Sequence, residues 1–260
     1  MSSVLAYHKV DNRFELGLTT VSPKSFSRHL TAIQNAGFKI ECGRPDSERV
    51  VCLTFDDGYD CFYRNVVPSL DSRGVKAIVF VISGFMGSTN SWDVRFSYKP
   101  FRHMTAKQVE EVAKLGFTVG SHTRSHKDLT RLDAASLSSE LRDSKKQLED
   151  VTGAEVDALS FPYGRYNQRA AEAAFEAGYK RLFGLGSVSR EGVIARTPVY
   201  SIDSVPAVLR KLESNSFEIF KSDIIHSFAN VSALLSSGKR VSRLGGSASD
   251  NGGELEKTRR

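Results

Sequence analysis

The chain has 260 residues, a length that one large domain can account for, and its 40% hydrophobic and 25% charged residues are an ordinary globular balance. No stretch approaches the roughly 18 apolar residues that a membrane span needs, and three cysteines without metal-ligand spacing argue against a disulfide scaffold. The formal net charge of +6 could favour binding of an acidic partner, or it could have no functional meaning. No motif of a nucleic-acid-binding fold accompanies it, so we expect no nucleic-acid partner.

Short apolar runs alternate with helical patterns almost from end to end, which favours a mostly parallel α/β architecture. The expected strands are 4–7, 50–55, 75–82, 117–120, 156–161, one near Arg181, and 193–199. Five helices are expected. The first is capped by Ser22 with Pro23 at its first position, the second ends near Gly74, and the third begins with a capping box of Thr105 and Gln108. The fourth covers 134–151, and the fifth begins after Asn167 and ends at Gly178. These units predict an α/β fold, an irregular barrel of about seven parallel strands.

From about residue 204 onward the pattern is helical only. Apolar residues from Phe217 to Leu235 recur at spacings of three or four and form one stripe. We expect this stripe to pack on the barrel wall; a partner-binding helix is the alternative. Residues 237–260 consist of Gly, Ser and charged residues without periodicity, so we predict a domain over 1–236 and a disordered tail over 237–260.

Acidic and histidine residues follow two of the expected strands, where the functional loops of parallel barrels lie. Asp56 and Asp57 come directly after strand 50–55. Because adjacent carboxylates disfavour joint ionisation, a metal ion would bind one and leave the other as a base; a helix cap is the alternative.

His122 and His126 follow strand 117–120, and their spacing of four predicts both imidazoles on one side of a helical turn, within reach of one ion.

Two other strand ends carry weaker candidates. Tyr163 lies between Pro162 and Gly164 after strand 156–161 and could offer its backbone N–H to a developing oxyanion; an ordinary turn is the alternative. His8 ends the first strand and could donate a proton to a leaving amine, although a lone histidine at a strand end is more often an ordinary polar residue.

Three motifs in order, each in the matching strand context, resemble those of the polysaccharide deacetylase family, also called the NodB homology domain or carbohydrate esterase family 4. They are TFDDG at 54–58, SHTRSH at 121–126 and FPYG at 161–164, and the resemblance covers roughly residues 2–200. It implies a distorted (β/α) barrel and a metal-dependent hydrolase that removes an N-acetyl group from an amino sugar in a glycan or glycan precursor. The opening YHKV is similar to one branch, the circularly permuted poly-N-acetylglucosamine deacetylases.

The resemblance assigns a role to each matching position. Asp57, His122 and His126 would hold one divalent metal, for which Zn²⁺ is expected and Co²⁺, Ni²⁺ or Fe²⁺ are alternatives.

The same resemblance implies that Asp56 is the general base, His8 the general acid and the Tyr163 N–H an oxyanion donor. His8 is preferred over His226 as the acid because His226 lies off the apolar stripe of its helix and reads as a surface residue.

Substrate-binding positions and one departure also follow from the resemblance. Trp92, in the segment NSWD, would stack on a sugar face or serve as a structural residue, and Pro162 and Arg196 would bind substrate. Many family members carry an arginine two residues before the proline of the third motif. Here that position is Ser160, and Arg165 or Arg196 is the candidate replacement.

The N-terminus has no basic flank followed by a long apolar run, so we expect no signal peptide and a cytoplasmic location. A nucleotide-linked or lipid-linked sugar in surface-glycan assembly is then the expected substrate, with peripheral membrane contact allowed. One alternative keeps the site but hydrolyses a cyclic or linear amide outside sugars. The other is a non-catalytic glycan-binding module, against which the intact set of two aspartates and two histidines argues.

Overall fold

The structure, a computed structural model, describes residues 3–13, 18–41, 49–89, 100–186, 189–190 and 192–213. Trp92, the apolar stripe at 217–235, His226 and the tail at 237–260 lie outside the described residues. The predicted division at residue 236 therefore stays a prediction.

The described residues contain ten strands and six α-helices. The strands are β1 (Ser3–Tyr7), β2 (Lys9–Val10), β3 (Thr20–Val21), β4 (Lys39–Ile40), β5 (Val50–Phe55), β6 (Ile78–Val81), β7 (Thr118–Ser121), β8 (Ala158–Ser160), β9 (Arg181–Leu185) and β10 (Val193–Pro198). The helices are α1 (Pro23–Asn35), α2 (Val67–Asp71), α3 (Ala106–Lys114), α4 (Ala134–Thr152), α5 (Gln168–Glu176) and α6 (Val205–Leu212).

Seven of the strands close into a parallel barrel. Their order is β1-β10-β9-β8-β7-β6-β5, and β5 pairs back with β1 in a register from Ser3↔Val51 to Tyr7↔Phe55. β4 pairs with the start of β5, and β2 pairs with β3 in a separate two-stranded sheet. The predicted α/β barrel of about seven parallel strands is confirmed.

Local capping signals place the helices as the sequence predicts. Ser22 accepts a hydrogen bond from Ser25 N at 3.1 Å with Pro23 at the first position of α1, and Thr105 and Gln108 form a reciprocal capping box on α3. Asn167 caps α5. These side chains satisfy N–H groups that the first helical turn leaves without a partner, so the helix starts are fixed locally.

Some boundaries differ from the prediction. The strand predicted at 156–161 narrows to β8, although Phe161 N still donates to the Phe183 carbonyl at 3.0 Å. The helix predicted after the aspartate pair is a π-helical turn, Phe62–Val66, that continues into α2. The two-residue strands β2, β3 and β4 were not predicted, since such short segments carry no detectable period.

The barrel interior is filled by side chains that alternate along the strands. One buried cluster consists of Val4, Cys52, Ile78, Phe80, Ala158 and Phe183. Because strand side chains alternate with a period of two, positions two and four residues further along the same strands also face inward. Thr54 and Ser160 belong to the next layer in this way, and so does Arg196, two residues after Ile194 of β10, which packs against the cluster. The Arg196 guanidinium lies 5.2 Å from the centroid of the Phe80 ring.

Candidate active site

The carboxyl ends of neighbouring strands bring the sequence-predicted residues to one rim. His8 follows β1 and Asp56 follows β5, and Asp56 N donates to the Tyr7 carbonyl at 2.9 Å, which continues the pairing of these strands. His122 follows β7 in the same way, since its N–H donates to the Val81 carbonyl at 2.9 Å. The rim therefore collects these side chains above the apolar interior.

Asp57, His122 and His126 form a compact set of candidate metal ligands. Asp57 Oδ1 lies 3.5 Å from His122 Nε2 and 3.6 Å from His126 Nε2, and all three residues are buried. A tetrahedral zinc ion with bonds of about 2.0–2.2 Å holds neighbouring ligand atoms about 3.3–3.5 Å apart. The chemistry of the donors and the two distances from Asp57 Oδ1 thus fit a single divalent ion, and all three ligand atoms lie within 4.8 Å of one another.

Hydrogen bonds and burial set the protonation state of these histidines. His122 Nδ1 lies 2.8 Å from the Ser160 carbonyl, which can only accept, so Nδ1 carries the proton and Nε2 keeps its lone pair. Burial lowers the pKa of His122, an effect that the Asp56 charge partly opposes, and burial together with His122 lowers the pKa of His126. Both rings are therefore neutral at pH 7, as metal ligation requires.

The segment between the two histidines is not the predicted helical turn. Thr123 and His126 have φ of 64° and 57°, in the left-handed region, and His126 N donates to Thr123 Oγ1 at 3.1 Å. Ser125 N donates to Glu140 on α4 at 2.8 Å, and the Ser125 hydroxyl donates to the same carboxylate. Side-chain oxygens thus take the backbone N–H groups that a helix would use, and the two imidazoles converge through an irregular loop.

Arg196 on β10 holds Asp56 in a bidentate ion pair. Its guanidinium nitrogens lie 2.7 and 2.9 Å from the two carboxylate oxygens, 3.1 Å from Thr54 Oγ1 and 2.7 Å from Ser160 Oγ. Both charged groups are buried, with Arg196 only 1% exposed. Arg165, the other candidate, pairs with Asp128 at 3.3 Å.

The position that holds arginine in many family members is thus occupied by a serine that contacts an arginine from another strand. The substrate-binding role predicted for Arg196 stays a prediction.

The ion pair keeps Asp56 ionised. Burial raises the pKa of Asp56, but the Arg196 charge and, to a smaller extent, His122 more than offset it, so the pKa lies below the usual range. A carboxylate in this state can accept a proton at neutral pH.

Arg196→Met is expected to lower the free energy of unfolding by about 3–5 kcal/mol, because it leaves a buried carboxylate without its partner. Burial then dominates, so the pKa of Asp56 rises and the acid limb of the kcat/KM profile moves to higher pH. Chemical denaturation and a pH–rate profile measure both effects. Arg165→Met removes a partly exposed ion pair worth about 0–1 kcal/mol and is the control; an acid limb that stays in place in Arg196→Met would contradict the expectation.

His8 is half-buried at the rim and follows Tyr7, whose carbonyl accepts the hydrogen bond from Asp56 N. Burial lowers the pKa of His8 to about 4; Asp56 raises it in part, while Lys9, His122 and Arg196 lower it further. The ring is therefore neutral at pH 7 and can take up a proton during a reaction.

Tyr163 occupies a strained turn next to the candidate ligands. It has φ 60° and ψ 11° in the turn Pro162–Gly164, and its ring packs edge-on against His126 with centroids 4.6 Å apart. Left-handed backbone costs a non-glycine residue about 1–3 kcal/mol, and such strain persists where surrounding contacts enforce it. Pro162 is buried at the start of this turn, and its substrate-binding role stays a prediction.

Backbone strain is concentrated at this site. Five non-glycine residues with positive φ occur among the described residues. Four of them are at the site: Asp57, Thr123, His126 and Tyr163. This clustering supports a functional rather than an incidental geometry.

One buried residue beside the ligands was missed by the sequence analysis. His103 Nδ1 lies 2.8 Å from the backbone carbonyl oxygen of Asp57. A lone histidine in the segment FRHMT has no motif, and its partner is a backbone atom, so the sequence offers no signal for this contact.

Comparison with known proteins identifies the family. The family model described as polysaccharide deacetylase matches residues 43–182, more than half of the chain, and the chain belongs to this family. The structure of a Streptococcus pyogenes deacetylase, PplD, in complex with acetate aligns with a TM-score of 0.70 over 81% of this chain and 97% of that one. At 23% identity, this similarity shows the shared fold.

Two relatives extend the comparison. A Bacillus subtilis protein named as a polysaccharide deacetylase, YxkH, is 29% identical over 203 residues, which are 74% of this chain and 66% of YxkH. The poly-β-1,6-N-acetyl-D-glucosamine N-deacetylase of Escherichia coli is 28% identical over 207 residues, 64% of this chain and 28% of that protein. This chain therefore spans less than two thirds of either relative. Within the described part of the chain, no helix has the length and apolarity to cross a bilayer.

Proposed function

We propose that this protein hydrolyses the acetamide group of an N-acetylated amino sugar, with one divalent metal ion held by Asp57, His122 and His126. The observation that carries the proposal is the approach of Asp57 Oδ1 to both imidazole Nε2 atoms beside a second, ionised carboxylate, Asp56. Membership of the polysaccharide deacetylase family supports the reaction class.

The donor set of one carboxylate and two imidazoles suits Zn²⁺, with Co²⁺, Ni²⁺ or Fe²⁺ as alternatives. Such an ion supplies Lewis acidity, which polarises carbonyl groups and lowers the pKa of water. Three protein ligands leave positions open, as a catalytic rather than a structural site requires.

The protein's own groups then move the protons. Asp56, ionised and held by Arg196, accepts the proton of the attacking water. His8 is neutral at pH 7, so it takes up a proton from solvent before it donates that proton to the departing sugar amine, and the proton held by Asp56 returns to solvent. The Tyr163 N–H stabilises the oxyanion that develops on the acetyl carbonyl.

For the substrate we propose an N-acetylglucosamine unit, because the E. coli relative is named for deacetylation of a polymer of that sugar. Trp92 and Pro162 are the proposed contacts to the sugar. A nucleotide-linked or lipid-linked sugar, and with it a cytoplasmic location and a role in surface-glycan assembly, is the finer form of the proposal; the net charge of +6 is compatible with such an anionic carrier.

Acetate release tests this function. Protein loaded with Zn²⁺ or Co²⁺ is incubated with N-acetylglucosamine oligomers and with UDP-N-acetylglucosamine, and we expect free acetate and free amine in equal amounts, lost on chelation and restored by metal. Turnover of cyclic amides but of no acetylated sugar would favour the alternative amide hydrolase. Binding of the oligomers without any turnover would favour a glycan-binding module.

A further inference from the structure

A short segment before α3 pairs with the turn that carries the aspartate pair. Asp60 N donates to the Arg102 carbonyl at 2.8 Å, and Met104 N donates to the Gly58 carbonyl at 2.8 Å. Tyr59 and His103 lie opposite each other in an antiparallel bridge between these bonds. The pairing places the His103 side chain against Asp57, the residue before Gly58.

The His103 ring is buried and packs against two aromatic rings. It is 2% exposed, stacks on Tyr59 with centroids 4.8 Å apart and planes at 20°, and stacks on Phe85 at 5.6 Å and 25°. Nδ1 lies 2.8 Å from the Asp57 carbonyl oxygen, and because a carbonyl only accepts, Nδ1 is the donor. Among the described residues Nε2 has no hydrogen-bond partner, so the Nδ1 bond is the polar contact that gives the ring its direction.

The accepting carbonyl belongs to a strained turn. Asp57 and Gly58 have φ of 70° and 62°, and a Cβ on Gly58 would meet Val81 at 3.1 Å. A left-handed aspartate costs about 1–3 kcal/mol and needs contacts that enforce it. A donor bound to the Asp57 carbonyl restrains the peptide plane after Asp57, and through the ψ angle this plane constrains the direction of the Cα–Cβ bond that carries the carboxylate.

We propose that His103 is a positioning residue, which aims the Asp57 carboxylate at His122 and His126 by donating its Nδ1–H to the Asp57 carbonyl. The inference rests on the proposed function, since it takes Asp57 as a ligand of the metal. His103 acts through the backbone of a proposed ligand, since its Nδ1 bonds the Asp57 carbonyl oxygen.

Two substitutions separate this role from simple packing. In His103→Asn the amide nitrogen is attached to Cγ, as Nδ1 is, whereas in His103→Gln it lies one bond further from the backbone. Glutamine is the closer match to histidine in volume. If His103 only packs, the Gln variant should therefore keep the higher Co²⁺ affinity; if it positions Asp57, the Asn variant should. We expect Co²⁺ affinity of the apoprotein to fall about 10–100-fold in His103→Gln and to stay within about threefold of the unsubstituted protein in His103→Asn.

The experiment titrates apoprotein with Co²⁺, follows the visible absorption of the bound ion, and measures kcat for deacetylation at saturating Co²⁺. We expect kcat of His103→Gln to recover at saturation, because the lost property is ligand placement. His29, also buried, contacts the Tyr7 hydroxyl and the Asp203 carbonyl, and His29→Gln is the control, with unchanged Co²⁺ affinity expected.

Equal Co²⁺ affinity in both His103 variants and the unsubstituted protein would overturn the positioning role. So would a Gln variant that binds more tightly than the Asn variant. Failure of the proposed function has a different signature, since the unsubstituted protein would then bind no Co²⁺ or would bind it and release no acetate from N-acetylated sugars. Thermal unfolding of each variant establishes that the comparison is made between folded proteins.

Discussion

Asp57→Ala is expected to abolish metal binding and deacetylase activity together. Asp57 is the only anionic member of the candidate ligand set in the described part of the chain, and its Oδ1 is the atom shared between the two imidazoles at 3.5 and 3.6 Å. Loss of a residue that merely supports a ligand costs about 10–100-fold in metal affinity, so loss of the ligand itself should cost more than about 100-fold. Equilibrium dialysis against Zn²⁺ and acetate release measure the two effects.

Asp60→Ala is the matched control for this change. Asp60 lies three residues further along the same turn and pairs with Arg64 at 3.1 Å near the surface. Its removal should leave the Zn²⁺ content and the acetate rate close to those of the unsubstituted protein. An Asp57→Ala variant that keeps one equivalent of Zn²⁺ with unchanged affinity would show that the ion is bound elsewhere.

Asp56→Asn is expected to keep the metal and to lose about 10²–10⁴-fold in kcat, the usual contribution of a general base. The amide preserves the shape of the carboxylate but does not accept the water proton at neutral pH. The change also leaves the buried Arg196 without its counter-charge, which costs about 3–5 kcal/mol of stability. Metal content, kcat and chemical denaturation distinguish these consequences.

A double variant separates loss of the base from loss of stability. Asp56→Asn combined with Arg196→Met removes both members of the buried ion pair, which is less destabilising than removing either member alone. We expect the double variant to recover stability relative to Asp56→Asn but no activity. Recovery of activity with stability would show that Asp56 serves the fold and not the proton transfer.

Much of the barrel could be predicted because its signals are local. The strand 50–55 has the predicted bounds, and the caps Ser22, Thr105 and Asn167 begin their helices where the sequence indicates. Each cap acts on an N–H group within three residues, so a short sequence window contains the whole interaction. Each of the three family motifs is likewise a short segment, so the resemblance to the family could be recognised from the sequence.

The local shape of the site was less accessible to sequence reasoning. The spacing of His122 and His126 predicts a helical turn, but two left-handed residues and the Glu140 carboxylate produce a different loop. The bond between Arg196 and Ser160 joins residues 36 positions apart, and only closure of the barrel brings their strands together. Spacing along the chain carries no information on contacts of this kind.

His103 illustrates the same limit. Its contact with the Asp57 carbonyl depends on the pairing of residues 102–104 with 58–60, which no periodic pattern announces. The sequence therefore predicts which residues would bind the ion, while the support that aims them is apparent only in three dimensions.

The most direct test of the account is the position of a bound metal ion. Crystals grown with Zn²⁺ and measured at the zinc absorption edge should show one anomalous peak about 2.0–2.2 Å from the Asp57 carboxylate and from Nε2 of His122 and His126. A zinc ion bound away from these three side chains, or no peak at a saturating concentration, would contradict the central claim.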